Sequence, residues 1–142
     1  MKHMRISAIS KILFFGLLVL ASCNRSNDTL EEQRKRAGIK PIVEEAGSNT
    51  QVTFVELGSV NCIPCRMMKP VMKDIETAYA GKVKVVFFDV LTDQGRPYLQ
   101  QFNIKAIPTQ VFLDAQGKEF ARHTGFYPKD SIVALLANKG MK

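Results

Sequence analysis

Two cysteines three positions apart, Cys62 and Cys65, with Ile63 and Pro64 between them, are the residues of this chain best placed to do chemistry. They follow an apolar run, residues 52–57, and open a long amphipathic stretch, residues 63–79. The pattern predicts a strand, a short link and a helix that starts at the cysteines. The first turn of a helix has unpaired backbone N–H groups and a partial positive charge. That field favours thiolate over thiol, so Cys62 at the helix start is expected to be acidic and nucleophilic. Cys65, one turn on and less exposed, is placed to attack a mixed disulfide formed at Cys62 and release the partner. Pro64 suits the first turn, where its missing N–H costs nothing.

Three chemistries are open to such a pair. A zinc half-site needs two further ligands. Of the other candidates, His3 and Cys23 lie in or at the end of the leader described below, which leaves His123 by itself. A static disulfide fits an oxidising compartment. A redox dithiol is the third reading and the one that uses the helix start. Glu56, in the middle of the preceding apolar run, adds to it. A carboxyl buried in a sheet covered on both faces has its pKa raised, and could then take a proton from Cys65. The plainer alternative places Glu56 as a charge at a sheet edge. Arg66, Lys69 and Lys73 are expected on a solvated helix face, and Met67, Met68 and Met72 in core packing rather than on copper. His123 is expected at the surface of the last strand.

The N-terminus carries a different signal. Residues 1–11 are short and basic, and residues 12–21 (ILFFGLLVLA) are apolar. Ten residues at about 1.5 Å each cannot cross a ~30 Å hydrocarbon layer, so the run reads as the core of a signal peptide. It ends in Leu20-Ala21-Ser22-Cys23, which resembles the bacterial lipobox, where the cysteine is lipidated and becomes the mature N-terminus. Residues 1–22 are therefore expected to be a leader and Cys23 a lipid anchor outside the cytoplasm. An ordinary secretory leader and an uncleaved anchor are the alternatives. Residues 23–40 are polar and charged and read as a tether, with a helical turn or two where Thr29 and Glu32 have capping-box spacing. A flexible segment of that length spans roughly 20–25 Å.

The formal charge of +7 includes Lys2, Arg5 and Lys11 of the leader, so the mature chain is only mildly basic. No dense Lys/Arg face points to nucleic acid. With 46% hydrophobic residues, the rest of the chain can build one real core. Residues 41–142 are expected to form that domain, opening with a short helix at 41–47. After the first strand and helix come an apolar strand at 83–90, expected to be central and buried on both faces, and a short helix at 97–102. A strand at 109–113, a hairpin turn at 114–117 and a strand at 118–124 follow, then a closing helix at 129–137. Pro70 should kink the first helix and Gly81 close it. The order βαβαββα predicts an α/β fold with a mixed sheet, parallel across the crossovers and antiparallel in the final hairpin, and helices on both faces.

That order, with the cysteine pair opening the first helix, resembles the thioredoxin family. Pro70 stands five residues after Cys65, where the family has its helix proline. Ile107-Pro108-Thr109 looks like the segment with a cis proline that faces the dithiol, and Gly125 matches the glycine after the last strand. The resemblance covers residues 41–142 and implies a thioredoxin fold and a thiol–disulfide oxidoreductase. Its redox-active disulfide would join Cys62 to Cys65, Glu56 would manage protons, and no cofactor or metal would be needed. Asn61, Ile63, Pro64, Ile107 and Pro108 would shape the docking groove for protein thiol or disulfide substrates. Asn61 replaces the family's usual tryptophan, Ile63-Pro64 replaces Gly-Pro, and Phe87 falls where a lysine partner of the buried acid is expected. Glutamate at position 56 resembles periplasmic relatives that serve cytochrome c maturation. Ile107 is the residue of reducing members, so a monomeric, membrane-tethered periplasmic reductase fed by an inner-membrane thiol donor is the implied function. An oxidase or isomerase, or a copper-binding chaperone using the same dithiol, is the alternative.

Overall fold

The computed structural model describes residues 49–142 together with Glu32. The leader at 1–22, the lipidation site Cys23, the tether at 23–40 and the short helix expected at 41–47 lie outside the described residues, apart from Glu32.

Among the described residues seven elements follow one another: β1 (Val52–Gly58), α1 (Ile63–Ala78), β2 (Val83–Asp89), α2 (Pro97–Gln101), β3 (Thr109–Asp114), β4 (Glu119–Thr124) and α3 (Lys129–Asn138). The strands form one sheet in the order β2-β1-β3-β4. β1 pairs with β2 in parallel and with β3 antiparallel, and β3 and β4 form the closing hairpin. In the turn of that hairpin, the Gly117 N–H donates to the Asp114 carbonyl at 2.9 Å. Gly117 takes a φ of +76°, a left-handed conformation that a residue without Cβ adopts freely.

Side chains alternate across the strands, and each face of the sheet has its own core. Val52 and Phe54 of β1 and Phe112 of β3 pack with Met68, Met72 and Ile75 of α1 and Ile132 and Leu136 of α3. Phe54 and Phe112 stack with their ring centres 4.8 Å apart. On the opposite face, Val55, Leu57, Val111 and Leu113 meet Phe102, with Tyr98 and Leu99 of α2 packed against them. Helices thus cover both faces, as expected of the α/β thioredoxin fold.

Two expectations about the sheet are corrected. β3 does not join β1 and β2 as a third parallel strand. Its first residue, Thr109, pairs with Leu57 near the C-terminal end of β1, the same end at which β2 finishes with Asp89 beside Gly58. Between Asp89 and Thr109 the chain stays at the end of the sheet where β2 finishes, with only the five-residue α2 on the way. The chain therefore re-enters where it left, and β3 runs the other way. Among the described residues β2 is also an edge strand rather than a central one, and most of it is only half-buried. An unbroken apolar run reports that both faces are covered, and it says nothing about how many strands lie alongside.

The stripe on α1 is narrower than its apolar residues imply. Cys65, Met68, Met72 and Ile75 are buried, whereas Ile63 is 65% exposed and Met67 51% exposed. Core packing therefore holds for Met68 and Met72 but not for Met67. Pro70 sits inside the helix, and Gly81, at φ +73°, follows its end.

Candidate active site

The C-terminal ends of β1 and β2, the start of α1 and the N-terminal end of β3 meet at one edge of the sheet. Cys62 occupies the N-cap of α1, with extended backbone at φ −89° and ψ 124°. Its sulfur accepts the backbone N–H of Cys65 at 3.3 Å, and the Cys62 N–H donates to the Ser59 carbonyl at 3.2 Å. An N-cap side chain that takes up an orphan N–H is usually an oxygen. Here the acceptor is the sulfur, a contact that would favour negative charge on Cys62 in a reduced pair that kept this geometry. Cys62 and Cys65 are joined as a disulfide, with Cα atoms 5.2 Å apart. Cys62 is half-buried and Cys65 wholly buried, the asymmetry required of an attacking and a resolving thiol.

Gly58 makes room for Cys65. A Cβ at that position would lie 3.1 Å from the Cys65 sulfur and 3.3 Å from the Phe87 ring. Two residues back on the same face of β1 stands Glu56, wholly buried. Burial pushes its carboxyl up from 4.5 to about 7, and the nearby Gln110 amide pulls in the opposite direction. The alternative of a charge at a sheet edge does not hold, because β1 has strands on both sides. Phe87, in the place expected of a lysine, is the β2 residue paired with Glu56.

The Ile107–Pro108 peptide is cis. The segment is tied down from two sides. The Gly125 N–H donates to the Pro108 carbonyl at 2.8 Å. The Thr109 hydroxyl donates to the Ala106 carbonyl at 2.7 Å and lies 3.2 Å from the Thr124 hydroxyl. Of the residues expected to shape a groove, Asn61, Ile63 and Pro64 are exposed beside Cys62, Ile107 is half-buried and Pro108 is buried. His123 is half-buried rather than a plain surface residue: its ring stacks on Tyr127 at 4.1 Å. Arg66, Lys69 and Lys73 are exposed, as expected.

Pattern reading missed three contributors. Gln110, wholly buried, is the β3 residue paired with Glu56. A glutamine on the inward parity of an otherwise apolar strand was the signal for it. Asp89 closes β2, and its carboxylate accepts the backbone N–H of Val60 and of Leu91, each at 3.1 Å. Those bonds, the one from Val60 first, hold the Asp89 carboxyl below the usual carboxylate range. They also fix two loops whose apolar side chains, Val60 at 46% and Leu91 at 60%, face solvent. Gly58 is the third, recognisable only once the helix is seen lying against it.

The family model of the thioredoxin-like domain matches residues 39–140. The chain belongs to the thioredoxin-like family. Among its relatives, the thioredoxin of Alicyclobacillus acidocaldarius is 32% identical over 95 residues, which cover 67% of this chain and 88% of that one. The chloroplastic thioredoxin-like protein HCF164 of Oryza sativa is 33% identical over 100 residues, 68% of this chain. That match spans 38% of HCF164, well under half its length. A solved structure described as a malarial protein superposes with a TM-score of 0.57 at 20% identity, covering 63% of this chain and 97% of that one, and shows the shared fold. Family membership and the Cys62–Cys65 disulfide together support thiol–disulfide oxidoreductase chemistry for this thioredoxin-like protein.

Proposed function

We propose that this protein is a reductase of protein disulfides, held to a membrane outside the cytoplasm by lipid on Cys23. The observation that carries the chemistry is the N-cap geometry: the Cys65 N–H on the Cys62 sulfur, with the two cysteines paired. In the reduced protein the Cys62 thiolate attacks one sulfur of a substrate disulfide. A mixed disulfide forms, and the other substrate sulfur leaves as a thiolate. Glu56, about 7 Å along the strand from Gly58, takes the proton of Cys65 through its own side chain and one water. The Cys65 thiolate then attacks the Cys62 sulfur, the internal disulfide closes, and the second substrate thiolate leaves and is protonated. Two electrons pass from the dithiol to the substrate. Ile107, Pro108, Asn61, Ile63 and Pro64 border the substrate segment, which lies extended against the cis-proline backbone.

A dithiol consumed in this way must be regenerated by another thiol, and outside the cytoplasm that donor belongs to the inner membrane. Apocytochrome c is one client of suitable chemistry. The reducing direction draws on Ile107 before Pro108. A redox titration of Cys62 and Cys65 followed by thiol alkylation tests it. The expected potential is near that of thioredoxins, about −270 mV, and a value near the roughly −120 mV of strong disulfide oxidants would reverse the direction. The anchor is tested separately. Cells given labelled palmitate should incorporate it into the wild-type chain but not into Cys23→Ser, and equal labelling of both would remove the lipid from the proposal.

A further inference from the structure

Gln110 stands between two polar residues. Across β1 it faces Glu56, and across β4 it faces His123. Directly opposed residues of a sheet share a face, so Phe87, Glu56, Gln110 and His123 form one row on the side covered by α1. Both carboxylate oxygens of Glu56 and both polar atoms of the Gln110 amide are buried and make no hydrogen bond of ordinary length, yet the amide lies near enough to lower the Glu56 carboxyl pKa. Cβ atoms of directly opposed antiparallel residues lie about 4.5–5.5 Å apart, which leaves the two heads within reach of each other.

We propose that Gln110 is the positioning residue for Glu56, an amide that can partner the carboxyl in both of its protonation states. The amide N–H donates to the ionised carboxylate. After a turn about its last bond, the amide oxygen accepts the O–H of the protonated acid. A lysine in this place would favour the ionised form alone, and an apolar residue the neutral form alone. Phe87, on the other flank, can supply neither hydrogen bond. A group that takes a proton from Cys65 in one direction of exchange and returns it in the other needs both forms within reach. Hydrogen bonds to the ionised form are the stronger ones, so the net effect of Gln110 is to favour the carboxylate, the direction in which it moves Glu56.

Among the described residues, the titratable groups on the elements that pack around this row have contacts of their own. Cys65 of α1 is in the disulfide. Asp89 of β2 turns its carboxylate to Val60 and Leu91. His123 of β4 stacks on Tyr127 and has its Nε2 3.3 Å from the Phe126 carbonyl. Lys129, at the start of α3, is paired with Asp74 at the surface.

The purpose given to Gln110 rests on the proposed redox reading, but its test does not. Carbon-13 NMR of the side-chain carboxyls, in the oxidised full chain, follows Glu56 directly, and Glu56→Gln identifies its signal. Gln110→Met keeps the length of the side chain and removes the amide. It is expected to raise the Glu56 midpoint by about half a unit or more, roughly a threefold change in the protonation equilibrium. Gln110→Asn, with the amide drawn back by one carbon, is expected to give a smaller shift in the same direction, and it carries the test if the methionine variant does not fold. Coincident midpoints in wild type and the folded variant would overturn the proposal. Wild-type protein that reduces no disulfide would defeat the redox reading and leave the titration comparison in force.

Discussion

Cys65→Ser is expected to trap its substrate. Cys62, at the N-cap with its sulfur facing the Cys65 N–H, keeps the field that favours its thiolate. It can still open a partner's disulfide, and the mixed disulfide then has no internal thiol to resolve it. The variant should accumulate as a covalent adduct, visible as added mass under non-reducing conditions, while turnover falls to the uncatalysed rate. Cys62→Ser should lose turnover equally but form no adduct, because Cys65 is wholly buried against Gly58 and cannot reach a partner. The pair of variants separates the two roles. Adducts of equal yield from both, or a Cys65→Ser variant that turns over at the wild-type rate, would refute the assignment of attacking and resolving thiols.

Glu56 is expected to make the oxidised protein less stable as pH rises. In the folded state its pKa is raised to about 7, against 4.5 in the exposed group. Below 4.5 both folded and unfolded chains hold the proton. Between 4.5 and 7 the unfolded chain has released it and the folded chain has not, so the unfolded state binds fewer protons and stability falls with pH. Above 7 both are ionised and the folded state carries the full cost of a buried carboxylate. At ~1.4 kcal/mol per unit, that cost is about 3 kcal/mol. Glu56→Gln, uncharged and of the same shape, should lack this loss. Urea unfolding of both proteins at pH 4.5 and pH 8.5 measures it, and the difference between the curves cancels the contribution of all other groups. In the reduced enzyme the base must be ionised to act, so resolution should quicken as pH rises through 7. Glu56→Gln should remove that limb and slow the step by about 100-fold. Unfolding curves that stay parallel from pH 4.5 to 8.5 would show that Glu56 is not titrating in a buried site.

The parts of the site that depend on short stretches of chain were legible without the fold. A cysteine at an N-cap meets the N–H three residues later, and that contact follows from helix geometry wherever the helix starts after Asn61. The hairpin turn at Asp114 to Gly117 is equally local, and the strands and helices described after residue 49 fall within a residue or two of their hydrophobic patterns. The cis state of Pro108 was reached through family resemblance, because the residues themselves favour trans.

Other features required contacts between distant parts of the chain. The apolar run around Glu56 pointed to burial if the sheet was covered on both faces, but not to Gln110, on another strand, as its neighbour. Lateral register is set by which strands pair and in which direction, and β3 pairs antiparallel with β1. The same holds for the exposed Ile63 and Met67. A helical stripe shows which residues share a side, whereas the edge of the sheet decides how much of that side is covered. The sequence by itself therefore determined the cysteine pair at a helix start and its N-cap contact, because these arise within one turn of helix. Only the tertiary structure decided the surroundings of Glu56, because burial and cross-strand partners are properties of the packed sheet.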